Sequence, residues 1–206
     1  MRYLLISVFL ILFSSCKLAT VKNYTRNDVS NATIHNPYFS NKKIDYVYKA
    51  DINVYGKFLS GILILKKIAD NKHRIVFTSQ FGNTFFDIEI ENNRHTVNTI
   101  VPELNRKIIL NTLLKDFSLL IRENSEVIEK YSNVSYEVLK SPFNEFSNYY
   151  FYKMPEFILH RVVHATKRKE KLNIRFEEIT KDQIAKKIFI DHYTIKLNIE
   201  LNLLKN

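Results

Sequence analysis

Two histidines four residues apart are the first candidates for chemistry, in the run His160-Arg161-Val162-Val163-His164. A zinc protease of the helical His-Glu type needs Glu directly after its first His, because that carboxylate is the general base. Arg161 stands there instead. Ile158, His160, Val162 and His164 alternate with other residues, which predicts a strand carrying both rings on one face. No third ligand accompanies them, so no metal is expected. Glu177 and Glu178 are neighbours, so on a strand they point to opposite faces and cannot act as an acid–base pair. No nucleophile elbow and no Ser–His–Asp arrangement is visible. The three glycines, Gly56, Gly61 and Gly82, cannot build a loop that cradles phosphate. The chain reads as a non-enzyme without a cofactor.

Cys16, the only cysteine, excludes an intramolecular disulfide and points to a different chemistry. It follows Leu12-Phe13-Ser14-Ser15, at the end of the apolar run Tyr3–Phe13 and behind the basic Met1-Arg2. That run is too short to cross a bilayer, which takes roughly 20 residues, but it suits the core of a signal peptide. Small residues before a cysteine at this place resemble a bacterial lipobox, which implies that Cys16 is acylated and becomes the first mature residue. The alternative is an ordinary secretory peptide cleaved near Ser15. One acyl chain anchors marginally and several anchor stably, at about 0.8 kcal/mol per buried CH₂. Lys17, not Asp, follows the cysteine; by the same resemblance this implies the outer membrane. The expected organisation is a lipoprotein signal peptide over residues 1–16, a polar tether over 17–44 and one domain over 45–206.

The formal net charge of +10 suits an anionic partner, either nucleic acid or a lipid surface. An exported, membrane-tethered chain is expected to meet lipid and not nucleic acid. The densest basic run, Lys167-Arg168-Lys169 with Lys171, reads either as a solvated hairpin tip or as a contact for anionic head groups, at about 1 kcal/mol per residue near such a surface.

The elements that must position these residues are mostly strands. Tyr48, Ala50, Ile52 and Val54 alternate with polar residues, as do Leu172, Ile174 and Phe176, and Ile195, Leu197, Ile199 and Leu201. Ile62-Leu63-Ile64-Leu65 is apolar on both faces, which predicts a central strand. His73–Ser79 and Thr84–Ile90 form a hairpin around Gln80-Phe81-Gly82-Asn83, where Gly82 takes a positive φ at no steric cost. Over Pro102–Ile121 the spacing turns helical, and a helix of about 19 residues is roughly 28 Å long. Glu123–Ser132 extends it or forms a second, poorer helix. The fold class is therefore mainly β with α: a curled antiparallel sheet of about eleven strands, an open half-barrel, with one long helix covering an apolar cavity. The alternative is a fully packed core.

The order of lipobox, polar tether, strands, apolar-tipped turn, long helix and closing strand resembles the LolB family of outer-membrane lipoproteins, within the LolA/LolB superfamily of half-barrel carriers. The match is best over Arg74–Thr84, with Phe81 and Gly82 at the family's protruding apolar turn, and over Tyr193–Ile199 at its last strand. The resemblance implies an outer-membrane lipoprotein, facing the periplasm, that accepts acylated lipoproteins from a LolA-like periplasmic carrier and inserts them into the inner leaflet of the outer membrane. The alternative function is a lipid- or apolar-ligand-binding lipoprotein without insertion activity. On this reading the chain is a monomer and Phe81 enters the bilayer; a ring folded back on its own protein is the alternative. The cavity would be lined by Ile62, Ile64, Ile75, Phe77, Phe86, Ile88, Ile195, Leu197 and Ile199 and closed by Leu113 and Phe117, the same residues that would otherwise form plain core.

Overall fold

Alternation dictates the strands, and the register shows what they bury. The structure, a computed structural model, describes residues 19–29 and 32–205. Short strands β1 (Thr25–Asn27) and β2 (Thr33–His35) come first. A five-stranded meander follows: β3 (Asp45–Val54), β4 (Lys57–Ala69), β5 (Lys72–Thr78), β6 (Thr84–Glu91) and β7 (Arg94–Ile100). Helix α1 (Lys107–Leu120) carries the chain back to β8 (Asn124–Glu126) and β9 (Glu129–Ser132). A second meander runs through β10 (Tyr136–Phe143), β11 (Phe146–Lys153), β12 (Ile158–Ala165), β13 (Glu170–Ile179), β14 (Ala185–His192) and β15 (Leu197–Lys205). The meanders join at the β15–β3 ladder, where Leu197 faces Val54, Ile199 faces Ile52 and Leu201 faces Ala50. All six residues are buried, so the seam is apolar along its inner face. In a chain this poor in glycine, Asn71, Asn92 and Asn144 take the positive φ of the hairpin turns, a conformation that Asn tolerates better than most residues.

The curled half-barrel expected from the alternation is not what forms. Among the described residues thirteen strands, all paired antiparallel, lie in the linear order β1-β9-β10-β11-β12-β13-β14-β15-β3-β4-β5-β6-β7. No ladder joins β1 to β7, so the sheet is open at both edges. Alternation shows that one face is apolar; it does not show whether a sheet closes. Between α1 and strands β6 and β7 no cavity is left. The gap bounded by Phe86, Ile88, Ile100, Leu110, Leu113 and Leu114 has no room for a water molecule. Side chains from α1 fill the space, with Phe117 against Phe86 at 5.7 Å between ring centres. Ile34, Tyr38 and Phe39, from the stretch that reads as tether, are buried in the same core.

Two element expectations also change. The helix starts at Lys107, not Pro102, because the Leu104 and Asn105 amides both turn back to the Val101 carbonyl. Arg106, the N-cap, makes no side-chain capping bond. The poorer helix over Glu123–Ser132 is replaced by β8 and β9, which pair with β2 and with β1 and β10.

Candidate functional site

Antiparallel pairing fixes which turns share an end of the sheet. The turns at 55–56, 79–83, 144–145, 166–169 and 193–196 lie at one end, called here the aromatic end. Those at 70–71, 92–93, 133–135, 154–157 and 180–184 lie at the other. The five turns of the aromatic end carry four basic residues, Lys167, Arg168, Lys169 and Lys196, against one acid, Glu145, a net +3. The other five carry Lys181 against Asp70, Glu156 and Asp182, a net −2.

Phe81 stands at the tip of the β5–β6 turn and is 93% exposed. Ser79 builds that turn. Its amide donates to the Asn83 carbonyl at 2.8 Å, its carbonyl accepts from the Gly82 amide at 3.0 Å, and its hydroxyl oxygen accepts from the Asn83 amide at 3.1 Å. Gly82 has φ +84°, which frees the backbone to close the turn with Phe81 outward. Tyr55 and Phe58, on the neighbouring β3–β4 hairpin, are also exposed, as is Tyr193.

The first described residues end here too. Thr20 is buried and its hydroxyl donates to Glu170 Oε1 at 2.6 Å, at the start of β13. Val21 packs on Val163 and Ala165 of β12, on the sheet face opposite α1. Cys16 itself lies outside the described residues. Four peptide units separate it from Thr20, a reach of roughly 14 Å at full extension.

A pocket of about 240 Å³ opens between the flank of α1 and strands β10 to β14. Leu119, Phe143, Phe146, Leu172 and Ile195 form its apolar wall. Within it His192 Nε2 and Asp116 Oδ2 are 2.8 Å apart, and both side chains are almost fully buried. Burial pushes the Asp116 carboxyl above the ordinary carboxylate range, and the His192 hydrogen bond pulls it back in part. The pair ties the helix to β14. His164 Nδ1 lies 2.7 Å from Asn148 Oδ1, and its ring stacks on Phe146 at 4.7 Å. Burial, and then the charges of Lys115, His192 and Lys171, hold the His164 ring down to a pKa of about 4.

The residues expected to line a cavity separate into three groups. Ile75, Phe77, Phe86, Ile88, Leu113, Phe117, Leu197 and Ile199 are buried in the core. Ile195 is half-buried at the pocket wall. On β4 the inward residues are Leu63 and Leu65, while Ile62 and Ile64 lie on the outer face, Ile64 37% exposed. A strand apolar on both faces carries no periodic signal of which is inner. His160 and His164 also part. The register slips between Phe151 and Tyr152, so Arg161 and Leu159 are paired while His160 is the extra residue of a bulge. His160 then stacks on Tyr136 outside the core, and His164 faces the pocket. The Asp116–His192 pair was not read from the sequence. Its one signal is an acid at 116, three residues after Leu113 and four before Leu120, inside an apolar stripe.

No family model and no curated protein matches the chain. Among solved structures it is similar to a LolA superfamily protein from Nitrosomonas europaea, with a TM-score of 0.50, 7% identity, and 77% of this chain and 83% of that chain covered. It also matches a Vibrio parahaemolyticus domain proposed to sort outer-membrane lipoproteins, with a TM-score of 0.49, 7% identity and coverage of 78% and 83%. The first likeness is one of fold.

Proposed function

We propose that this chain is an outer-membrane lipoprotein, acylated at Cys16 and facing the periplasm, that accepts acylated lipoproteins from a LolA-like periplasmic carrier and inserts them into the membrane without catalysing a reaction. The observation that carries the reading is the convergence at the aromatic end. An outward phenylalanine, a net positive set of turns and the emergence of the chain that leads to Cys16 meet at one end of one sheet. The likeness of fold to a LolA superfamily protein supports it. Burying a phenylalanine ring is worth roughly 1.5–3 kcal/mol, enough for a transient entry into lipid but not for anchoring. The acyl groups hold the chain, the basic turns orient it and Phe81 opens the lipid surface. In Phe81→Glu, transfer of an acylated lipoprotein from carrier to liposomes should be abolished while the chain remains folded. Unchanged transfer would remove Phe81 from the mechanism. Normal outer-membrane delivery in cells depleted of the chain would overturn the acceptor role itself.

A second reading is favoured by the filled space beneath α1. With no room there for acyl chains, the flank pocket is the place for a small ligand, and the chain is then a ligand-binding lipoprotein without insertion activity. Phe81→Glu leaves ligand binding intact under this reading.

A further inference from the structure

The flank pocket holds charges that membrane docking does not use. Lys115 on α1 and Lys171 on β13 both border it, and among the described residues neither makes an ion pair. Its acid, Asp116, is already engaged by His192. Asn148 accepts from His164 Nδ1, which in the neutral ring leaves Nε2 as a bare acceptor. Beside these groups lie the aromatic rings of Phe143 and Phe146 and the side chain of Leu119. The result is an apolar wall with two lysines along it, where the one acid is already hydrogen-bonded to His192.

We propose that this pocket binds a single-chain amphiphile with an anionic head, carboxylate or phosphate, the head between Lys115 and Lys171 and the tail against Leu119, Phe143 and Phe146. The inference rests on the ligand-binding reading and does not need membrane insertion. The argument is one of charge and shape together. A small inorganic anion would satisfy the lysines but leave the rings bare, and an uncharged apolar molecule would cover the rings but leave the lysines unanswered. An anion set beside His164 also favours its protonated form, so an acid can enter neutral and leave its proton on Nε2. Burial first, and then the charges of Lys115, His192 and Lys171, hold His164 neutral, and an anionic head relieves the second of these.

The test uses the full chain carrying Cys16→Ser, titrated by calorimetry with decanoate, decyl phosphate, decanol and inorganic phosphate, with the His164 ring followed by NMR. Decanoate or decyl phosphate should bind saturably, about tenfold or more tighter than decanol, and should move the His164 titration upward from about 4. Preference between the two decyl anions identifies the head. Lys115→Met with Lys171→Met should weaken the anionic probes about tenfold and leave decanol unchanged; either single variant, at a partly solvated lysine, gives a smaller loss in the same direction. Decanol binding as tightly as decanoate overturns the anionic head and leaves the ligand-binding reading standing. Inorganic phosphate binding as tightly as decyl phosphate overturns the tail. If no decyl probe binds, the ligand-binding reading falls with the proposal.

Discussion

The two ends of the sheet are built from the same material and differ in what they offer a partner. Each has five turns between consecutive strands of one continuous sheet, and each exposes apolar side chains: Tyr55, Phe81 and Tyr193 at one, Val134, Met154 and Phe157 at the other. Exposed apolar groups alone therefore do not mark a docking end. Phe157, moreover, lies flat on Tyr152, with ring centres 4.3 Å apart and planes at 6°, so its ring has a partner within the protein. What separates the ends is charge, +3 in the turns of one against −2 in those of the other, and the emergence of the chain leading to Cys16 beside the positive one. An anionic bilayer attracts the first end and repels the second, and Thr20, four residues from Cys16, is held beside the attracted end. The comparison teaches that orientation on a surface can come from a few turn residues while the strands between them stay indifferent to it.

The largest effect that would break this comparison is expected at the 166–169 turn. Lys167→Glu, Arg168→Glu and Lys169→Glu together should reduce binding of the non-acylated chain to anionic vesicles roughly 100-fold, given about 1 kcal/mol per basic residue near such a surface. Reversals of the same size at Asp70, Glu156 and Asp182 should not reduce it. A gain from the second set as large as the loss from the first would mean that only total charge matters and that the ends are equivalent. A smaller effect is expected from Phe81→Ser, about tenfold in vesicle affinity from the lost apolar burial. Val134→Ser, at the opposite end and just as exposed, is the matched control and should change nothing. Flotation at two salt concentrations separates the contributions, because salt screens the lysines and spares the ring.

Much of the sheet was legible in the sequence because strict alternation is a local property. The β5–β6 hairpin, the inward residues of β3 and the inward residues of β15 all follow from a period of two. Whether the sheet closes is a property of the whole chain, and no window of residues carries it. The core also takes in Ile34, Tyr38 and Phe39, three apolar residues in a stretch otherwise polar enough to read as tether. Ile62 and Ile64 could not be told from Leu63 and Leu65 because both faces of that strand are apolar. The pocket was hidden for another reason. Asp116 and His192 are 76 residues apart in sequence, and the bulge at His160 takes that ring off the face that Val162 and His164 share. The Phe81 turn was visible because a large apolar residue beside a glycine in a tight turn has no local structural use.

The finest distinction concerns the histidines, and acid should reveal it. His164, in the pocket, has a pKa of about 4 in the folded chain against an ordinary value near 6.5. Between these values the unfolded chain takes up the proton and the folded chain does not, so this contribution is fully present above about pH 6.5 and is lost as pH falls towards 4. The charges facing the ring are Lys115 from α1, Lys171 from β13 and His192 from β14. His73, buried beside the Phe39 carbonyl, is also held low by burial and acts in the same direction. Asp116, held high, acts in the opposite one, because the folded chain keeps a proton that the unfolded chain has released. His160 and the low-held carboxyls of Asp87 and Glu129 act in the same direction as His164, so the difference between variants is the cleaner measure. In His164→Gln the loss of stability from pH 6.5 to 4 should shrink by about 1 kcal/mol, after allowance for solvent screening at a partly exposed ring. Urea unfolding across that range reads it. An unchanged slope would mean that His164 is solvated in solution and not buried beside Lys115 and Lys171, and the pocket as described would go with it.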